Sequence, residues 1–307
     1  MELRHIRYFL AVAEEKNFTR AAMRVGIGQP PLSQQIKDLE VEIGAPLFHR
    51  VPQGAELTEA GSAFFQAVQD VPGQVERAIR AAQQAARGEV GSIRIGFTGS
   101  AAFHPDVAAA VRSFRAAYPA VDLTLDEGST TDLVSGLTEG TLDGAFIRPS
   151  PDQASIEKLH FRVISQERLM AVLPTRHPAA RDGKVDLACL KDDLFILTPR
   201  HAVSTLFDMV MAACRSAGFE PVLGQSAPRP SSAINLVAAE LGVSIVPASM
   251  QMLRLPGVVY SEILGETPVI RLALATRRSD PSRIVRNFIT CAVADDFGSR
   301  PLEAGAD

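Results

Sequence analysis

Residues 18–50, FTRAAMRVGIGQPPLSQQIKDLEVEIGAPLFHR, constrain the fold of this chain more than any other stretch. They hold two short helical patterns joined by a turn with glycines. Before them, Leu3, Ile6, Phe9, Leu10, Val12 and Ala13 recur at helical spacing and predict a first helix ending near Lys16 and Asn17. Thr19 is a candidate cap for the second helix, because a hydroxyl at a helix start can accept a free backbone N–H. Ala21 and Ala22 are small enough for a neighbouring helix to approach. Val25 and Gly26 end that helix, since glycine tolerates the left-handed conformation of a helix stop. Pro30 or Pro31 suits the first turn of the next helix, where a missing N–H costs nothing. Leu32, Ile36, Leu39 and Ile43 are spaced 4, 3 and 4 and predict its core face. Gln29, Ser33, Gln34 and Lys37 are left for the outer face. An ordinary antiparallel helix pair accounts for each residue singly. The order of the features favours a helix-turn-helix whose second helix enters a DNA groove, with Gln on adenine edges and Ser and Lys on phosphates.

Charge is divided on this point. Residues 1–58 carry seven Lys or Arg and seven acids, so their net charge is zero. Residues 17–37 are different: Arg20, Arg24 and Lys37 stand there with no acid, a local +3 that suits phosphates. The whole chain of 307 residues is at −4, so affinity for DNA has to be local.

The ordered run from Ala21 to Arg50, followed by LTEAG, resembles the signature of LysR-type transcriptional regulators. The resemblance implies an N-terminal all-α winged helix-turn-helix over 1–58 and a long dimerising linker helix over 59–87. A hinge over 88–91 follows. Beyond it come a two-lobed α/β effector domain like periplasmic binding proteins over 92–297 and a tail over 298–307. Its lobe one would comprise 92–162 and 268–297, and lobe two 163–267. It implies DNA contacts from Thr19, Arg20, Gln29, Pro30, Pro31, Ser33, Gln34 and Lys37, and a wing over 51–57 with Arg50 and Gln53 as DNA-backbone contacts. One position departs: Gly28 stands where the family usually has Ser before Gln-Pro. The resemblance also implies homodimers assembling into homotetramers, double-stranded operator DNA and RNA polymerase as partners, and usually activation.

Thr58 followed by Glu59 is a good helix start, hydroxyl as cap and carboxylate near the positive end. Phe64, Val68, Val71, Val75, Ala78, Ala82 and Ala85 alternate at spacings of 4 and 3, a seam that suits pairing of two chains. Packing of this helix on its own domain is the alternative. Pro72-Gly73 interrupts the seam and predicts a kink or two helical pieces.

From Ser92 onward strands and helices alternate, which predicts a mostly parallel α/β architecture. Strands are expected at 93–97, 121–126, 144–147, 162–173, 194–197, 243–246 and 269–276. The strand at 162–173 would cross between the halves. Helices are expected at 103–117, 130–139, 203–217, 231–241 and 282–294. Open α/β sheets bind ligands beyond the carboxyl ends of strands and at helix N-termini. Ser100, Thr130, Arg148 and the group Arg200, His201, Val203 and Ser204 occupy such positions. Singly, each has a plainer reading: a cap for Ser100, Thr130 or Ser204, and a surface ion pair for Arg148. GFTGS, EGSTTD, GAFIRP and VSIVPAS resemble the benzoate- and muconate-responsive branch of the family. That resemblance implies a small carboxylate effector, aromatic or a ring-cleavage product, contacted by Ser100, Thr130 and Arg148, while Val203 and Ser204 are expected on the opposite side from their place after the 194–197 strand.

Cys189, Cys214 and Cys291 are far apart with no CxxC pair, as expected of reduced thiols in a cytoplasmic protein. Arg4, His5 and Arg7 break the first apolar residues, and no apolar run reaches the roughly 20 residues of a membrane span. GxxxxGK[ST], HExxH, GxSxG and metal-spaced Cys/His clusters are missing, so neither an enzyme nor a cofactor or metal is expected. A solute-binding protein would account for residues 92–297 but not for the first 90.

Overall fold

A computed structural model describes residues 1–51, 54–150, 156–200, 204–265 and 268–293. The chain divides into two compact units, 1–84 and 85–307.

The first unit begins with α1 (Leu3–Glu15), α2 (Phe18–Val25) and α3 (Gln29–Ile43). Asn17, not Thr19, caps α2: its side chain accepts the backbone N–H groups of Thr19 (2.9 Å) and Arg20 (3.0 Å). The helix begins at Phe18, so Thr19 lies inside its first turn, too late to serve as the cap. Gly26 at φ 73° ends α2. Gln29, Pro30 and Pro31 open α3, with Gly28 as an N-cap that supplies no side chain. Leu32, Ile36 and Leu39 are buried as the spacing predicts. Ile43 is not: it is 37% exposed, because the helix ends there and Gly44 turns the chain away at φ 79°. An antiparallel hairpin of β1 (Phe48–Val51) and β2 (Gly54–Leu57) follows, pairing Arg50 with Ala55. The aromatic rings tie hairpin and helices together, with Phe9 centred 5.2 Å from Phe48 and 4.9 Å from Phe64.

Thr58 caps α4 (Glu59–Val68) by accepting from Gly61 N at 2.8 Å, and its own hydroxyl donates to the Pro46 carbonyl. α5 (Val71–Arg87) is a separate helix. Pro72 sits in its first turn, so the break falls just before the proline, where the ring clashes with no preceding carbonyl. The seam splits in the same place. Phe64, Val68 and Val71 pack on the core of their own unit. Ala78 and Ala82 are exposed, as is the whole of α5 beyond Val75.

In the second unit, Asn287 Nδ2 donates to the carbonyls of Arg87 (2.9 Å) and Gly88 (3.4 Å). Gly88, at φ 68°, packs so closely that an added Cβ would lie 2.9 Å from Ile284 N. The sheet then builds outward from β3 (Gly91–Phe97), which pairs in parallel with β4 (Val121–Glu127) on one side and β5 (Gly144–Ile147) on the other. α6 (Pro105–Ala117) and α7 (Thr130–Glu139) make the crossovers. α6 starts two residues later than expected, because a 3-10 turn over Ala101–Phe103 precedes it.

β6 (Leu159–Pro174) runs through both lobes. Its first half pairs antiparallel with β12 (Val269–Arg277), and its second half with β10 (Ser244–Pro247) and β11 (Val258–Ile263). The sheet is therefore mixed, not mostly parallel: β12 and β6 return down it, and apolar periodicity is blind to strand direction. Short β7 (Lys184–Val185), β8 (Leu194–Phe195) and β9 (Val222–Leu223) lie in the second lobe with α8 (Ser204–Ser216) and α9 (Pro230–Ala238). α10 (Arg283–Val293) closes the first lobe by packing on α6, with Phe288 centred 5.1 Å from Phe114.

Asn17→Ala is expected to lower the unfolding free energy of the first unit by about 1 kcal/mol in urea. Thr19→Ala should cost clearly less, and equal losses would return the cap to Thr19.

Candidate DNA interface and effector cleft

In the first unit, Thr19, Arg20, Gln29, Pro30, Pro31, Gln34, Lys37 and Arg50 are exposed, and Ser33 is half-buried. Gln53 lies outside the described residues. Arg50 reaches back from β1 to α3: its Nη2 donates to Ser33 Oγ at 2.7 Å, with the guanidinium carbon 5.3 Å from the Phe18 ring centre. This contact sets the first strand of the hairpin against the outward-facing helix. Gln34 Nε2 donates to Asp38 Oδ1 at 2.8 Å, one helical turn on, which holds its amide on the exposed face. His5 and Gln35 are in contact at 3.1 Å.

The acid-free run is less naked than its sequence. Arg24 pairs with Glu14 (2.6 Å) and Glu15 (3.3 Å), and Arg20 lies 3.6 Å from Glu15. These acids come from the end of α1. Lys37 has no ion pair among the described residues. Gly28 also has a packing role: an added Cβ would meet Pro31 Cδ and Cγ at 3.3 Å.

In the second unit, β3 lies between β4 and β5, so the crossovers leave in opposite directions and a crevice opens at the carboxyl ends of β3 and β5. Thr98 and Ser100 follow β3, Arg148 follows β5, and Thr130 opens α7. All four side chains are buried. With Thr205 and Leu206 of α8 they enclose a cavity of about 10 Å³. Ser129, not Thr130, caps α7, accepting from Asp132 N at 3.1 Å, which leaves Thr130 to line the cavity.

Arg148 is 4% exposed and is not a surface residue. Its Nε donates to Ser100 Oγ at 3.0 Å and its Nη2 to Glu167 Oε1 at 2.5 Å. Its backbone carbonyl accepts from Thr205 Oγ1 at 2.8 Å. Glu167, on β6, also accepts from Ser249 N (2.5 Å) and Ser249 Oγ (3.1 Å) in the second lobe. One carboxylate thus bridges both lobes. Arg148 Nη1 and Thr98 Oγ1 are buried without a partner among the described residues. A buried unpaired polar group costs about 1–3 kcal/mol, so two in one cavity mark a place where a ligand's oxygens would be welcome.

His104 caps α6 by accepting from Asp106 N at 3.3 Å, and its Nε2 lies 3.8 Å from Glu167 Oε1. Burial pushes its pKa down, helped by Arg148 and opposed by Glu167 and Asp106. Burial likewise lowers the pKa of the Arg148 guanidinium, and Glu167 opposes that shift.

Val203 and His201 lie outside the described residues, as does the side chain of Ser204. Arg200 does not face Arg148: it is exposed, pairs with Asp208 at 2.7 Å, and lines a separate groove of about 280 Å³ with Phe207 and Leu223. Thr205, beside Ser204 at the start of α8, lines the cavity. Thr98, Glu167 and Ser249 escaped the sequence reading. Thr98, within the same GFTGS as Ser100, was the one with a signal to follow.

A His buried neutral contributes stability above its unfolded pKa of about 6.5, lost as pH falls through the lower folded value. The melting temperature is therefore expected to drop on acidification from roughly pH 6.5 to 5, and to drop less in His104→Gln. Parallel melting curves would assign the loss to other groups.

Residues 3–62 match the family model described as bacterial regulatory helix-turn-helix protein, lysR family, and residues 86–295 match that of the LysR substrate binding domain. The HTH-type transcriptional regulator BudR of Raoultella terrigena is 39% identical over 94% of this chain and 99% of its own length. BenM of Acinetobacter baylyi is 33% identical over 93% of each, so the likeness to BenM's branch is the weaker of the two. The crystal structure of full-length CbnR complexed with its target DNA superposes with a TM-score of 0.82 at 28% identity, covering 95% of this chain and 98% of that one. The chain belongs to the LysR family: it is a DNA-binding transcriptional regulator with an effector-binding domain, not an enzyme.

Proposed function

We propose that a small carboxylate binding at Arg148 switches this regulator between two states on operator DNA. The observation that carries the reading is the guanidinium edge, buried and without a partner at Nη1 among the described residues, in a cavity walled by both lobes. A carboxylate there would receive a charge-assisted hydrogen bond from Arg148. It would also compete with Glu167 for the same guanidinium. Glu167 holds Ser249 in the second lobe, so the competition reaches the contact between lobes. A ligand favouring one lobe arrangement shifts the population toward it. The buried cluster of Ser100, Thr130 and Arg148 supports a carboxylate as the ligand.

On the DNA side, α3 enters the major groove, with Gln29 and Gln34 on base edges, Ser33 and Lys37 on phosphates, Thr19 and Arg20 on the backbone and Arg50 beside them. The exposed Ala78 and Ala82 face of α5 pairs two chains. Two recognition helices then meet half-sites about one DNA turn apart, and effector domains join dimers into tetramers. RNA polymerase is the partner of the assembled complex.

Gln34→Ala is expected to lose discrimination between operator and competitor DNA by roughly 1–3 kcal/mol in a gel shift. A uniform loss on all sequences would make Gln34 a backbone contact. Arg148→Ala should retain operator binding yet give the same footprint with and without a carboxylate that alters the wild-type footprint. A retained response would place the effector elsewhere.

A further inference from the structure

Glu167 has a neighbour besides Arg148 and Ser249. His104 Nε2 lies 3.8 Å from Glu167 Oε1, the same oxygen that accepts from Arg148. The other ring nitrogen, Nδ1, accepts from Asp106 N and lies 3.6 Å from Asp106 Oδ2. A neutral imidazole that accepts at Nδ1 carries its hydrogen on Nε2, the nitrogen nearest Glu167. The ring therefore stands between two carboxylates, one at each nitrogen. All four side chains are buried.

The charged groups facing the ring are Glu167 on β6, Asp106 in the first turn of α6 and Arg148 at the end of β5. The turn over Ala248–Met252, packed on the turn that precedes His104, brings no charge. One cation thus answers two carboxylates. A ligand carboxylate on Arg148 makes three anions against that cation, and buried charge without a partner is costly. Burial keeps His104 neutral as the site stands, helped by Arg148. Its place at the start of α6 also disfavours the cation, since a helix N-terminus is positive. An added anion, together with a Glu167 released from Arg148, acts against all three. The imidazolium that results has a carboxylate waiting at each N–H.

We propose that effector binding takes up one proton from solvent at His104 Nδ1, and that the ring receives Glu167 as the effector's carboxylate takes Arg148. This rests on the reading of Arg148 as the effector's anchor. His104 is a positioning residue in it, touching Glu167 and not the ligand. The complex then holds one proton more than the free protein, so affinity rises as pH falls, by at most about tenfold per pH unit. The rise spans the interval between the depressed pKa of His104 in the free protein and its higher value in the complex.

Calorimetric titration of the full-length protein with acetate, benzoate, succinate and cis,cis-muconate tests the coupling. Runs between about pH 8 and about pH 6, in pairs of buffers with unlike ionisation heats, count the protons taken up. These acids are all ionised there, so the proton has to enter the protein. An acid that binds is expected to bring up to about one proton with it and to bind more tightly at the lower pH. His104→Asn, whose amide oxygen can still cap α6, should bind that acid without uptake and with a flat pH profile. Uptake that persists in His104→Asn would overturn the role of His104 and move the proton to Glu167. Binding to the wild type with no uptake and no pH dependence would overturn the coupling and leave Arg148 as the anchor. Binding that survives Arg148→Ala, or no binding by any of the four acids, would overturn the anchor and the coupling together.

Discussion

A guanidinium and a carboxylate taken out of water hold the effector domain together at its centre. Arg148 comes from the end of β5 and Glu167 from β6, and both are nearly inaccessible. Such a pair is weak evidence for stability, because desolvation offsets most of the attraction. Breaking it is another matter, since either partner left alone is a buried uncompensated charge. Arg148 therefore cannot leave Glu167 unless another anion arrives, and Glu167 cannot move without loosening Ser249. Stability and responsiveness rest on the same contact.

The DNA-reading unit follows a comparable economy on its surface. Two of the three cations in the acid-free run are answered by Glu14 and Glu15, so the outward field is smaller than the sequence count. Two polar side chains of α3 are held in place. Ser33 is fixed by Arg50, and Gln34 by Asp38. Pre-set donors and acceptors lose less freedom when a base edge arrives.

Punctuation made the first unit legible. Gly26, the Pro30-Pro31 pair and Thr58 each mark an element boundary for a steric or capping reason, and the structure uses each one. Asn17 was harder, because the cap is chosen by where Phe18 enters the core, a tertiary fact. In the second unit, strand positions were readable from apolar runs, but the antiparallel return of β12 was not. Ser100, Thr130 and Arg148 could be found because they follow strands. Glu167 could not. A Glu within a strand reads as solvent-facing, and its partners Arg148 and Ser249 lie 19 and 82 residues away in sequence.

β6 carries 16 residues through both lobes without interruption. Its pairing with β12 slips once, where Ser165 faces Leu272 and Val163 faces Ala273, so Ile164 has no residue opposite. A bulge of this kind bends a strand and increases its local twist. The lobes are therefore joined at this crossing by a hydrogen-bonded ribbon, not by a loose tether, and the bulge at Ile164 is a place where a rotation between them would act. A ligand's arrival would then be encoded as an angle, and small rotations at one strand grow into large displacements at the far edges of the domain.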